Sequence, residues 1–227
     1  MYRSHYLLFA TLLIISIPHG YAQSITDQMK SAMSLHEAAT NFEQELAAAE
    51  KFKSISDNNP NEWLPAYWTA FLYSQAGRLG KTKLLHYEIG FDYLAKVEKL
   101  IVNPTDDEKS YIFALKSLLS TLSQGPNFAK GNIEKGKELV VAQNEALNKG
   151  LSAKSDSPLL LVLLGTNLIG EGMRAKPSPD VSKLITGKLL LEKAKSIYAA
   201  SSAEDNLIPN RWNEPWIDVW LNRLKQN

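Results

Sequence analysis

The chain has 227 residues, with 25 Lys+Arg against 24 Asp+Glu and no cysteine. A charge this close to neutral argues against nucleic acid or an anionic membrane as the main partner, and the lack of thiols excludes disulfides and thiolate metal sites. The length is enough for one sizeable core.

Residues 1–22 read as a secretory signal. Arg3 and His5 form a polar start, Leu7 to Ile17 is an apolar run too short to span a bilayer, and Pro18 and Gly20 break it. Small residues at Gly20 and Ala22 place cleavage near Ala22, leaving Gln23 first and residues 23–227 as one domain. No cysteine follows to take a lipoprotein anchor, and a cysteine-free exported protein suits a bacterial periplasm or exterior. The expected location is therefore periplasmic or secreted, with no membrane insertion. The apolar stretch Leu159 to Leu164 is far too short to cross a membrane.

The remaining chain is helical in pattern throughout. Met29, Ala32, Met33, Leu35, Ala39 and Phe42 recur at three and four, and a turn at Thr40-Asn41 leads to a second stripe of Leu46, Ala48, Ala49, Phe52 and Ile55. Next comes NPNEWLPAYWTAFLYSQAG, residues 59–77. Its apolar and aromatic residues go right round a helix, which predicts neighbours on several sides. Asn59 is a candidate cap, Pro60 or Pro65 suits a first turn, and Gly77 is the expected stop. Thr82 to Val102 is the next helix, ended by Asn103-Pro104. Thr105 and Glu108 have capping-box spacing and start another, which Gln124 to Asn127 should break. Asn132 to Leu151 follows. Ser157-Pro158 caps an almost wholly apolar helix from Leu159 to Met173, Ser178-Pro179 starts one running to Ala200, and Pro215 to Leu224 is the last. No period-2 run is long enough for a strand.

Helix-ending prolines at Pro60, Pro104, Pro158 and Pro209 recur about every 50 residues, and so do Ala48, Ala95, Ala146 and Ala194 in second helices. Helix hairpins of this kind bury their faces by stacking. The spacing of Ala48, Phe52 and Pro60 resembles the second helix of the tetratricopeptide repeat. Ala70, Tyr73, Ala114, the Leu161-Leu164-Gly165-Leu168 step, Ala194 and Tyr198 also fit that pattern. The period is about 48 rather than 34, Trp63 is not at the usual aromatic position, and Lys99 sits where a second-helix aromatic belongs. NEWLPAYWTAFLYSQAG, GKLLLEKAKSIY and PNRWNEPW further resemble secreted tetratricopeptide-like proteins of Bacteroidetes, over most of residues 25–225. This resemblance implies an all-α superhelix of antiparallel hairpins, about three and a half to four of them, with a C-terminal capping helix. It implies a binding role in the cell envelope and no known reaction.

Catalytic signatures are weak. His36-Glu37-Ala-Ala-Thr40 starts like a zinc-protease motif but has Thr at the second ligand position. Gly170-Glu-Gly172-Met-Arg-Ala175 fits a dinucleotide fingerprint, yet Pro177 and Pro179 forbid the helix it needs, so a flexible loop is expected there. Asp106, Asp107 and Glu108 are explained by helix capping. No metal, no cofactor and no enzymatic activity are expected. The aromatic surplus has two readings, inter-helix core or an exposed groove. If first helices line a concave face as the resemblance implies, Leu64, Tyr67, Phe71 and Ser74 point inward from one, with Glu108, Tyr111, Leu115 and Leu118 from the next. Trp212, Trp216 and Trp220 would cap the open end of the stack or join two copies as a homodimer. The leading expectation is a scaffold that seats another envelope protein or peptide on Leu64, Tyr67, Phe71, Ser74, Tyr111 and Leu115. A soluble receptor for a peptide, glycan or small ligand, favoured by a closed pocket, is the alternative, and an enzyme of unrecognised type is a third.

Overall fold

The computed structural model describes residues 24–80, 83–201 and 207–226, so the signal-like segment and the expected helix start at Thr82 lie outside the described residues. Those residues form nine α-helices and no strand. Helix α1 (Ile25–Glu37) is capped by Ser24, whose side chain accepts from the Asp27 N–H. Helix α2 (Phe42–Asn58) is capped in the same way by Asn41, at the turn the sequence predicts. His36 and the buried Glu45 pin the two together at 3.0 Å.

Helix α3 (Trp63–Leu79) is buried at every position from Pro65 to Gly77, as a helix apolar all round must be. Its ends differ from expectation. Asn59 belongs to the end of α2, where its side-chain amide donates to the Ile55 carbonyl, and Glu62 is the residue before α3. Gly77 does not stop the helix. It lies inside it, where a Cβ would sit 2.5 Å from the Tyr87 ring of α4 (Lys83–Leu100), and Gly80 is the terminal residue instead. The glycine there serves close packing rather than a turn.

Helix α5 (Asp106–Ala129) opens on the predicted capping box, with Thr105 and Glu108 bonded reciprocally. It does not break at residues 124–127. Pro126 is inside its last turns, and the side chain of Asn127 donates to the Ser123 carbonyl. The real stop is Gly131 at φ 81°, a left-handed position that favours glycine. The Asn132 N–H reaches the Asn127 carbonyl and the Gly131 N–H the Phe128 carbonyl, the paired bonds that close a helix of this kind. Helix α6 (Ile133–Ala153) follows, then α7 (Pro158–Arg174) with Ser157 before it. Helix α8 (Val181–Ala200) is capped by Asp180 rather than started at Ser178-Pro179. Helix α9 (Glu214–Gln226) ends the chain of elements.

Consecutive helices pack on one another, most extensively α5 with α6, α7 with α8 and α3 with α4, while α3 also meets α5, and α5 meets α7. Helix α9 returns to α7 and α8. Three apolar clusters result, one over α1–α5, one over α7–α9 and one between α5, α6 and α7. Trp216 packs against all three, and Trp212 against two. Instead of only closing the far end, the segment before α9 folds back to α3. The Trp68 indole donates to the Leu207 carbonyl at 2.8 Å, the Trp212 indole donates to the Tyr67 hydroxyl at 2.9 Å, and the Trp212 and Phe71 rings lie 5.1 Å apart.

Helices α7 and α8 cross at Gly165 and Gly187, where a Cβ on Gly187 would lie 2.7 Å from the Gly165 carbonyl oxygen. Helix propensity alone favours Gly187→Ala by about 1 kcal/mol. Because the obstacle is backbone, the helices must separate, and overpacking costs about 1–3 kcal/mol. The expected outcome in urea unfolding is a net change between none and a loss of about 2 kcal/mol; a gain in stability would show that the two backbones are not in contact.

Candidate functional site

The six residues expected on a concave face do not form an open surface. Tyr67, Ser74 and Leu115 are 0% exposed and Phe71 is 3% exposed. Leu64 is half-buried against the same cluster. Leu118 is also buried, and the Glu108 carboxylate is engaged in the capping box. The physical reason is that α3 is covered on several sides: His36 of α1 meets the Phe71 ring edge-on, and Leu207, Trp212 and Trp216 of the folded-back C-terminal segment join the same cluster. Edge-to-face aromatic contacts run from Trp63 through Tyr67, Trp68 and Phe71. Burial pushes the Tyr67 phenol well above its usual range, despite the donated bond from Trp212. The Ser74 hydroxyl donates back to the Phe71 carbonyl at 2.6 Å. Of the six, Tyr111 alone lines a cavity described below, and the other five are core or packed on it.

The weak catalytic motifs also resolve locally. His36 meets Glu45, and among the described residues no group of three or more His, Asp or Glu is placed to hold a metal ion. Gly170 and Gly172 are not in a loop but in the last turns of α7. They therefore sit at the helix's negative end, the wrong pole for a pyrophosphate. Among the described residues no helix is long and apolar enough to cross a membrane.

A cavity of about 210 Å³ lies where α5, α7, α8 and the C-terminal segment meet. The first turns of α5 supply Asp107, Ser110 and Tyr111, and the link before α7 supplies Lys154 and Ser157. Pro158 and Leu159 come from the start of α7, Ile197 and Tyr198 from the end of α8, and Ser201, Asn210 and Arg211 from beyond it. Ser110, Ser157, Leu159 and Tyr198 are buried and make the floor, while Lys154 and Asp107 pair at the partly exposed rim.

The walls are held by a polar network. The buried Asn213 donates to the Leu159 carbonyl and accepts from the Tyr198 hydroxyl, both at 2.9 Å. Arg211 lies over the Tyr198 ring at 5.0 Å and forks onto the Glu214 carboxylate at 2.7 and 2.9 Å, with a further bond to the Ser201 hydroxyl. The bond to Glu214 raises the Arg211 pKa, and burial, with the Glu214 charge nearby, pushes the Tyr198 phenol well up. Both groups keep their ordinary protonation across the physiological range.

Ser157 is the exception in this network. It stands in the N-cap position of α7 with Pro158 next, as the sequence predicts, but its side chain makes no capping bond. It is 1% exposed, and its Oγ has no hydrogen-bond partner. The first N–H groups of a helix have no partner within it, so the Leu159 and Leu160 N–H groups meet neither helix carbonyl nor capping hydroxyl. Sequence reasoning identified the cap position and missed its vacancy. Arg211 and Asn210 sit inside the PNRWNEPW stretch, whose charge among tryptophans was the available signal.

Ser157→Ala tests this geometry. A working Ser N-cap loses about 1 kcal/mol on change to Ala. Here the change removes an unsatisfied buried hydroxyl, which costs about 1–3 kcal/mol while it stays unpaired. The expected result in denaturant titration without added ligand is unchanged stability or a gain of up to about 1 kcal/mol. A loss of 1 kcal/mol or more would mean that the hydroxyl caps α7 after all.

No family model, no curated protein and no solved structure matches the chain, so the cavity is read from its own chemistry.

Proposed function

We propose that the chain is a non-enzymatic, exported binding protein that takes a small ligand in the cavity between Tyr111, Ser157, Tyr198 and Arg211. The observation that carries this reading is the enclosed Ser157 hydroxyl, a buried polar group left unpaired in a cavity several times larger than the roughly 30 Å³ share of one water. A cavity of about 210 Å³ suits a small metabolite rather than a peptide. The shifted groups around it, Tyr198 and Arg211, are moved away from proton-transfer duty, which supports binding over acid–base chemistry. A tetratricopeptide-like arrangement is part of the proposal, supported by the side-by-side contacts of α3, α5 and α7.

Seating a protein on Tyr67 and Phe71 is the less supported reading, since those rings are enclosed by Trp212. A homodimer through the tryptophan-rich end would likewise compete with Trp212 and Trp216 for rings already engaged within the chain.

Two measurements test this. Tyr67→Ala with Phe71→Ala should remove about 6 kcal/mol or more, enough to unfold a protein of ordinary stability. A double variant that stays folded and loses a protein partner would restore the scaffold reading. A thermal-shift screen of small polar metabolites should find a ligand that, at 100 times its Kd, adds about 2.7 kcal/mol and raises Tm by roughly 5–10 °C. A screen with no shift, beside a stoichiometric protein partner lost on changing surface residues, would overturn the receptor.

A further inference from the structure

We infer that the cavity's ligand is a small oxyanion, a carboxylate or a phosphate, bound at the start of α7 by the Ser157 hydroxyl and the Leu159 N–H group. The inference rests on the receptor reading above and specifies its chemistry.

Two features converge on it. The first is the helix end. Helix α7 has 17 residues, a proline at its first position, and no side-chain cap. Its first turn therefore presents unpaired N–H groups together with the positive end of the helix dipole, an arrangement that favours an anion. The second is Ser157 itself, which lines the cavity fully buried with no partner for its Oγ. A hydroxyl in that position donates to an anion's oxygen without first breaking a bond. A neutral acceptor would satisfy the hydroxyl equally but would gain less from the helix end, since charge-assisted hydrogen bonds are about twice as strong as neutral ones.

The surrounding charge is consistent with a monovalent or weakly divalent anion. Lys154 and Arg211 line the cavity, against one carboxylate, Asp107. Arg211 is compensated by Glu214, and Lys154 pairs with Asp107 at the rim. An entering anion competes with Asp107 for Lys154, so Asp107 sets the affinity down and keeps the empty site neutral. Leu159, Ile197 and the Tyr111 and Tyr198 rings leave room for a short apolar body behind the charged group.

The test is calorimetric titration of the protein with butyrate, with inorganic phosphate and with glycerol as an uncharged control, alongside amide NMR of Leu159 and Leu160. Butyrate or phosphate should bind and move both amides, and whichever binds tighter identifies the source of the oxyanion. Glycerol should do neither. Ser157→Ala, which the unfolding measurement checks for intact structure, should weaken binding about 10-fold. Lys154→Ala at the rim should weaken it several-fold, and Asp107→Asn should tighten it several-fold. Binding that is unchanged in Ser157→Ala, or anion binding that leaves both amides still, overturns the site. If neither anion binds but a neutral molecule from the thermal-shift screen moves those amides, the oxyanion chemistry is wrong and the receptor stands. If no small molecule moves them, both readings fall.

Discussion

In an array where each helix packs mainly on its chain neighbours, stability is close to a sum of local terms, and nothing obliges distant parts to meet. This chain adds one long-range constraint. Trp212 and Trp216 carry the C-terminal segment back to α3, across 145 positions between Trp212 and Tyr67. Closing so long a span is not prohibitive, because each doubling of length adds only about 0.6 kcal/mol of loop entropy. Against that cost stand aromatic contacts and two indole hydrogen bonds, to the Leu207 carbonyl and the Tyr67 hydroxyl. Trp216 is the residue common to all three apolar clusters. Tyr111 and Trp212 also join the first cluster to the one between α5, α6 and α7, and Leu151 joins that one to the last.

The same fold-back creates the cavity. Asn210 and Arg211 form one wall, and Asn213, two residues on, ties that wall to the Leu159 carbonyl and the Tyr198 hydroxyl. The start of α7 would otherwise face water, which would satisfy Ser157 and the first-turn N–H groups at no cost. By packing on that helix end, the segment helps to bury Ser157 and Leu159. Buried polar groups in low dielectric are costly when unpaired and strong when paired. The cavity is thus a by-product of the clasp, and Glu214 and Ser201 hold Arg211 in place for both.

Helices were legible in the sequence wherever the signal is local. Thr105 and Glu108 spell a capping box in four residues, and Ala48, Ala49, Phe52 and Ile55 spell a buried stripe. The complete burial of α3 was legible too, since its aromatics go round the helix. Gly77 and Pro126 misled because a glycine needed for close approach, or a proline tolerated near a helix end, is written with the same letters as a stop. The binding face misled for a different reason. Tyr67 and Phe71 do lie on one side of α3, but what covers that side comes from the other end of the chain, and no local pattern announces it. Spacing of four between Trp212 and Trp216 suggests one helix face, yet Trp212 precedes α9 and turns toward α3. Ser157 was legible as a cap position, while the fate of its hydroxyl depends on neighbours from three other elements.

Under the proposed roles, the cavity and the aromatic face would draw on one segment, and linkage would fix their relation. Arg211 and Asn210 line the cavity, and the adjoining Trp212 rests on Tyr67 and Phe71. A ligand that binds only with this wall in place would stabilise the clasp by RT ln(1 + [L]/Kd), about 2.7 kcal/mol at 100 times Kd. By the same equality, anything that binds the uncovered aromatic face lowers the affinity of the cavity. Under the proposed roles, small-ligand capture and protein capture on Tyr67 and Phe71 would therefore oppose each other. Their balance is set by how firmly two tryptophans hold, rather than by any residue at either site alone.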